Sequence, residues 1–96
     1  RVMVALDGKK ITGVISVRDS SHISLLFVEK TYHHKGIGKA LIEEMQDYLS
    51  SEEGITKMTV NASPYAVGFY HSIGFTDTGL EQTSGGIRFT PMEKIL

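Results

Sequence analysis

Two β-branched runs, Val2 to Leu6 and Ile11 to Val17, stand on either side of Asp7-Gly8-Lys9-Lys10, and Asp-Gly between apolar runs is the strongest short hairpin signal. An antiparallel hairpin is expected. Polar turn material at Arg18 to Ser21 leads into His22 to Val28, which becomes apolar on both faces toward its end and is therefore expected at the centre of a sheet. From Gly38 to about Ser50 the apolar positions Leu41, Ile42, Met45 and Leu49 recur at helical spacing, with Glu43, Glu44, Gln46 and Asp47 on the other side. Ser50 to Gly54 breaks that helix. Ile55 to Ala62 then alternates as a strand, expected to lie parallel to the third through a right-handed βαβ crossover. Ser63 has the chemistry of an N-cap, Pro64 suits a first helical position and Gly74 a left-handed C-cap, which predicts a short helix from Pro64 to Ile73. In the tail, Gly79, Gly85 and Gly86 punctuate β-prone pieces, and Ile87 to Leu96 is expected as the last strand of a final hairpin. The pattern describes an α/β domain with a mixed, mostly antiparallel sheet of about six strands, a central parallel pair and two helices.

Composition narrows the function classes. A chain of 96 residues with 41% hydrophobic content is one small domain with a single core. The formal net charge of −1 provides no broad basic field, so nucleic acid is not the expected partner. There is no cysteine, hence no disulfide framework, no thiolate nucleophile and no zinc-thiolate site; a reducing, cytoplasmic location fits this. No apolar run approaches the roughly 20 residues a bilayer span needs, and a membrane role is not expected.

Candidate chemistry concentrates in Tyr32-His33-His34-Lys35-Gly36-Ile37-Gly38-Lys39-Ala40-Leu41, where the third strand passes into the first helix. The first N–H groups of a helix have no intrahelical partner and carry partial positive charge, so this junction is a cradle for an anion such as a pyrophosphate. Gly36 and Gly38 let the backbone approach closely, and Lys35 and Lys39 add formal charge. The spacing is neither G-x-x-x-x-G-K-[ST] nor G-x-G-x-x-G. A second segment, Asn61-Ala62-Ser63-Pro64-Tyr65-Ala66-Val67-Gly68-Phe69-Tyr70-His71-Ser72-Ile73-Gly74-Phe75, follows the next strand.

Together the two segments resemble the GCN5-related N-acetyltransferase (GNAT) superfamily, whose acetyl-CoA loop reads [QR]-x-x-G-x-[GA] and whose later helix ends in Tyr followed by Gly-Phe. The resemblance runs from about residue 2 to the C-terminus. It implies the acyl-CoA N-acyltransferase fold in a single 1–96 N-acetyltransferase domain. The chain begins inside a strand without an initiator methionine, and the strand and two helices that usually precede this point in the family are expected to be lacking.

The resemblance also implies site residues. Backbone amides of His34, Lys35, Gly36, Ile37, Gly38 and Lys39 would bind the pyrophosphate of acetyl-CoA. His33 departs from the family, which has Gln or Arg there, and would substitute in part. Leu26, Phe27 and Val28, also core-strand residues, would bond to the pantetheine through their main chain. Asn61 or Ser63 would contact the same arm, although helix capping alone accounts for Ser63. Tyr70 is the candidate general acid, since a phenol is protonated at neutral pH and can hydrogen-bond to the departing thiolate; the alternative is a core aromatic, and Tyr65 on the same helix is a competitor. His22 stands where one branch of the family has its general base, with Glu29 or a water relay as alternatives. The histidines show no metal-ligand spacing, and no metal is expected.

The implied activity is transfer of acetyl from acetyl-CoA to a primary amine by direct attack in a ternary complex, since no cysteine exists to carry an acyl-enzyme. The acceptor would be an amine-bearing small molecule or a protein or peptide amine. A non-catalytic acyl-CoA-binding or regulatory domain on the same fold is the alternative. Another is a fragment that pairs with a second chain, where an exposed edge strand would favour a homodimer.

Overall fold

The structure, a computed structural model, describes all residues, 1–96. Seven strands form it, β1 (Val2–Asp7), β2 (Lys10–Arg18), β3 (His22–Val28), β4 (Lys57–Ala62), β5 (Thr76–Asp77), β6 (Gln82–Ser84) and β7 (Ile87–Ile95), with helices α1 (Ile37–Glu52) and α2 (Val67–Ser72). The sheet order is β1-β2-β3-β4-β7-β5, and β6 pairs with the start of β7. All neighbours are antiparallel except β3 and β4, whose parallel ladder holds only His22 opposite Thr59 and Ile23 opposite Val60. Beyond Ile23 the two strands separate.

The first hairpin turns at Gly8, with a φ of +61° that suits a residue lacking Cβ. Helix α1 buries Leu41, Ile42, Met45 and Leu49 against the sheet, the stripe that the helical spacing predicts. It approaches β2 so closely that a Cβ on Gly13 would lie 3.1 Å from Leu41 Cδ1 and 3.1 Å from the Phe27 carbonyl oxygen. Helix α2 lies on the same face beside α1, where Tyr70 and Phe75 join the core built from Ile15, Ile23, Met58, Val60 and Met92. Its end is a left-handed cap: Gly74 has φ +101°, Gly74 N–H donates to the His71 carbonyl and Phe75 N–H to the Tyr70 carbonyl.

Two element starts and the strand number differ from the sequence pattern. Helix α2 starts at Val67 rather than Pro64, and Ser63 caps no helix; Ser63 to Ala66 is a tight turn closed by Ala66 N–H on the Ser63 carbonyl at 2.9 Å. Proline suits the second position of such a turn as well as the first turn of a helix. Strand β4 starts at Lys57 because Ile55 N–H is used to cap the end of α1 on the Leu49 carbonyl. The short β5 raises the strand number to seven. Strand β3 is central, yet its outer face is open: Val4, Val14 and Phe27 stand in one cross-strand row there, and Phe27 is 55% exposed.

Candidate active site

Where β3 and β4 part, a cleft of about 480 Å³ opens between the end of β3, the loop into α1, and α2, a volume within the range of small-ligand sites. The parity of β3 decides which main-chain groups face it. Phe27 lies opposite Val14 in the β2 ladder, and Glu29 N–H donates to the Thr12 carbonyl at 2.8 Å. Antiparallel pairing alternates, so Phe27 and Glu29 turn their main-chain groups toward β2, while Leu26 and Val28 turn theirs into the gap that β4 has left. Leu26 and Val28 line the cleft and Phe27 does not.

The floor of the cleft is the N-terminus of α1. Gly36 occupies the N-cap with φ +78°, no side chain caps the helix, and its first turn holds no acidic residue. The leading N–H groups are therefore available to an anion. His33, His34, Gly36, Ile37, Gly38 and Lys39 line this side. Gly38 also has a packing role, because a Cβ there would lie 3.2 Å from Phe69 Cζ, the contact that sets α2 beside α1. Lys35 is turned to the Tyr32 ring, its Nζ 5.5 Å from the centroid, and lies outside the lining. His33 Nε2 donates to the Val28 carbonyl oxygen at 2.7 Å.

The third wall is α2. Ala66, Phe69 and Tyr70 face the cleft, with Tyr65 at the rim. Exposure separates the two tyrosines: Tyr65 is 99% exposed and Tyr70 5%. The Tyr70 ring packs edge-on between Phe69 at 5.3 Å and Phe75 at 5.2 Å. Gln46 Nε2 is the one sealed polar side-chain atom without a partner, so the Tyr70 hydroxyl is not sealed and opens on the cleft. Burial pushes this phenol up to about 12, which keeps it a hydrogen-bond donor throughout the neutral range.

The remaining expected residues lie elsewhere. His22 sits at the far end of β3, its Nδ1 2.8 Å from Thr59 Oγ1; burial first, then the nearby Arg18 charge, lowers its proton affinity. Glu29 is paired with Lys10 at 3.2 Å. Asn61 is exposed on β4 and Ser63 in the following turn, and neither lines the cleft. Tyr32, Ala66 and Phe69 line it without having been singled out; Ala66, Phe69 and Tyr70 share the i, i+3, i+4 spacing of one helix face, a signal present in the sequence. No three His, Asp or Glu side chains are grouped as metal ligands would be.

A mixed sheet that splays beside an uncapped helix N-terminus defines an acyl-CoA N-acyltransferase fold. The acetyltransferase (GNAT) domain family matches over residues 1–96, and the chain belongs to that family. It is similar to a GCN5-related N-acetyltransferase from Rhodopseudomonas palustris, at 26% identity and TM-score 0.87 over 99% of this chain and 61% of that one. An acetyltransferase from Bacillus cereus matches at 24% identity and TM-score 0.84, over 100% of this chain and 72% of that one. An aminoglycoside 6′-N-acetyltransferase complexed with coenzyme A matches in fold at 13% identity and TM-score 0.83, over 98% of this chain and 71% of that one. The chain thus spans about three-fifths to three-quarters of these related lengths. No helix is long and apolar enough to cross a membrane.

Proposed function

We propose that this domain transfers acetyl from acetyl-CoA to a primary amine by direct attack within a ternary complex, in the cytoplasm. The observation that carries the reading is the unbonded Tyr70 hydroxyl, which faces a cleft bounded by an open strand edge and an uncapped helix N-terminus. The residues fit the donor piece by piece. The N–H groups from His34 to Lys39 suit its pyrophosphate, with Lys39 adding charge. The gap-facing groups of Leu26 and Val28 suit the amides of its pantetheine arm, much as a strand would.

Bound acetyl-CoA supplies an acyl group activated on sulfur. The protein orients it beside the amine, which accounts for much of the rate. Tyr70 holds its proton and hydrogen-bonds to the sulfur as the C–S bond breaks and charge grows there, and the thiolate takes up the second proton that the nitrogen sheds on becoming an amide. With no cysteine in the chain, no covalent acyl-enzyme on sulfur is involved. His22, neutral near pH 7, is the proposed acceptor of the ammonium proton, through water because it lies outside the cleft lining. The acceptor class is an amine on a small molecule or on a protein or peptide.

A second reading, an acyl-CoA-binding domain without turnover, is favoured by one observation: neither His22 nor Glu29 lines the cleft. Thiol release from acetyl-CoA against an amine panel, with Tyr70→Phe beside the wild type, separates the two. Turnover lost in the variant with binding retained supports the enzyme; binding without turnover on any amine supports the alternative.

A further inference from the structure

We propose that His33 is a positioning residue that fixes the end of β3 before the donor arrives, an inference that rests on the cleft being the acyl-CoA site. Four main-chain groups face the gap beside β3, the N–H and C=O of Leu26 and of Val28. A strand end with no partner strand leaves such groups unsatisfied and the chain free to fray. Here one is satisfied. The Val28 carbonyl oxygen lies 2.7 Å from His33 Nε2, and a carbonyl only accepts, so Nε2 carries a hydrogen and the neutral ring has its free lone pair on Nδ1. The backbone holds His33 from the other side: its N–H donates to the Lys30 carbonyl at 3.2 Å, closing the 3-10 turn Lys30–Tyr32.

The imidazole therefore staples the last residue of β3 to the first part of the anion loop. Two consequences follow for recognition. The donor finds three unpartnered main-chain groups and a Val28 carbonyl that already accepts one hydrogen bond. Strand edge and loop are held in fixed relation, so the arm and the pyrophosphate meet a preorganised surface instead of ordering one on binding. His33 acts here through Val28, a different role from direct contact with the diphosphate.

The test uses His33→Ala, which removes the donor, and His33→Gln, whose amide N–H₂ reaches a similar distance. Loss of one net hydrogen bond predicts an acetyl-CoA KM and Kd raised about threefold to tenfold in His33→Ala, with kcat unchanged, and values within about twofold of wild type in His33→Gln. In the free protein, long-range ¹H–¹⁵N spectra should show the Nε2–H tautomer. The Glu29 amide, which shares a peptide plane with the Val28 carbonyl, should shift in His33→Ala and be restored in His33→Gln. Unchanged or tighter binding in His33→Ala, an Nδ1–H tautomer, or a Glu29 amide that does not move would overturn the proposal. Failure of the wild type to bind acetyl-CoA would refute the function instead, since the tautomer and the Glu29 signal are read without ligand.

Discussion

Replacing Tyr70 by Phe removes one oxygen from the cleft and leaves the ring between Phe69 and Phe75 in place. The size of the effect follows from the phenol's acidity. Burial sets Tyr70 at about 12, whereas an ordinary thiol lies near 8.5, so full proton transfer to a departing thiolate would be uphill by about 5 kcal/mol. Tyr70 should therefore keep its proton and act as a charge-assisted hydrogen-bond donor, an interaction of about 1.5–3 kcal/mol. That corresponds to a fall in kcat of about 10- to 150-fold. No protein hydrogen bond is lost with the hydroxyl, so stability should stay within about 1 kcal/mol of wild type. The assay is thiol release at saturating amine, with Kd for acetyl-CoA measured alongside. A variant that keeps more than half of kcat, or that loses Kd while keeping kcat, refutes the reasoning.

Other perturbations probe separate parts of the account. Gly13→Val should destabilise by about 1–3 kcal/mol through overpacking, because even a Cβ there meets Leu41 and the Phe27 carbonyl at 3.1 Å; an unchanged denaturation midpoint would contradict this packing. In a tyrosinate absorbance titration Tyr70 should ionise last, at about 12. A tyrosine raised in the fold stabilises fully below its unfolded value near 10 and loses that contribution as pH rises toward 12, about 3 kcal/mol in all. Four tyrosines ionising together near 10 in the folded protein would contradict it. His22→Gln should lower kcat/KM by about 10²- to 10⁴-fold if His22 is the base. The wild-type acid limb should then fall below the ordinary histidine value of about 6.5, the direction in which burial and Arg18 displace His22; an unaltered profile in the variant assigns the proton to another acceptor.

The sequence made the first helix legible because one periodic stripe, Leu41, Ile42, Met45 and Leu49, serves one purpose, and all four are buried. It placed the start of α2 at Pro64 where the helix begins at Val67, since Ser63-Pro64 satisfies the chemistry of a turn and of a helix cap alike. The turn into α1 was readable as glycine-rich backbone before a helix, and no side chain caps it. Gly38 carried a second meaning, its close approach to Phe69, that only the fold could supply. The division among Leu26, Phe27 and Val28 depends on which strand pairs with which edge, a long-range fact absent from local pattern. Tyr65 and Tyr70, equivalent as residue types, are separated by exposure. The His33 contact with Val28 joins residues five apart across a 3-10 turn, a geometry that spacing alone does not announce.

The most direct test of the central claim is calorimetric titration of the 96-residue chain with acetyl-CoA, beside Gly36→Glu. Micromolar binding that the variant abolishes is expected, since a carboxylate side chain at the N-cap opposes an anion where Gly36 now leaves φ +78° and open space. No binding up to millimolar acetyl-CoA, or equal binding by Gly36→Glu, would contradict the assignment of this cleft to the donor.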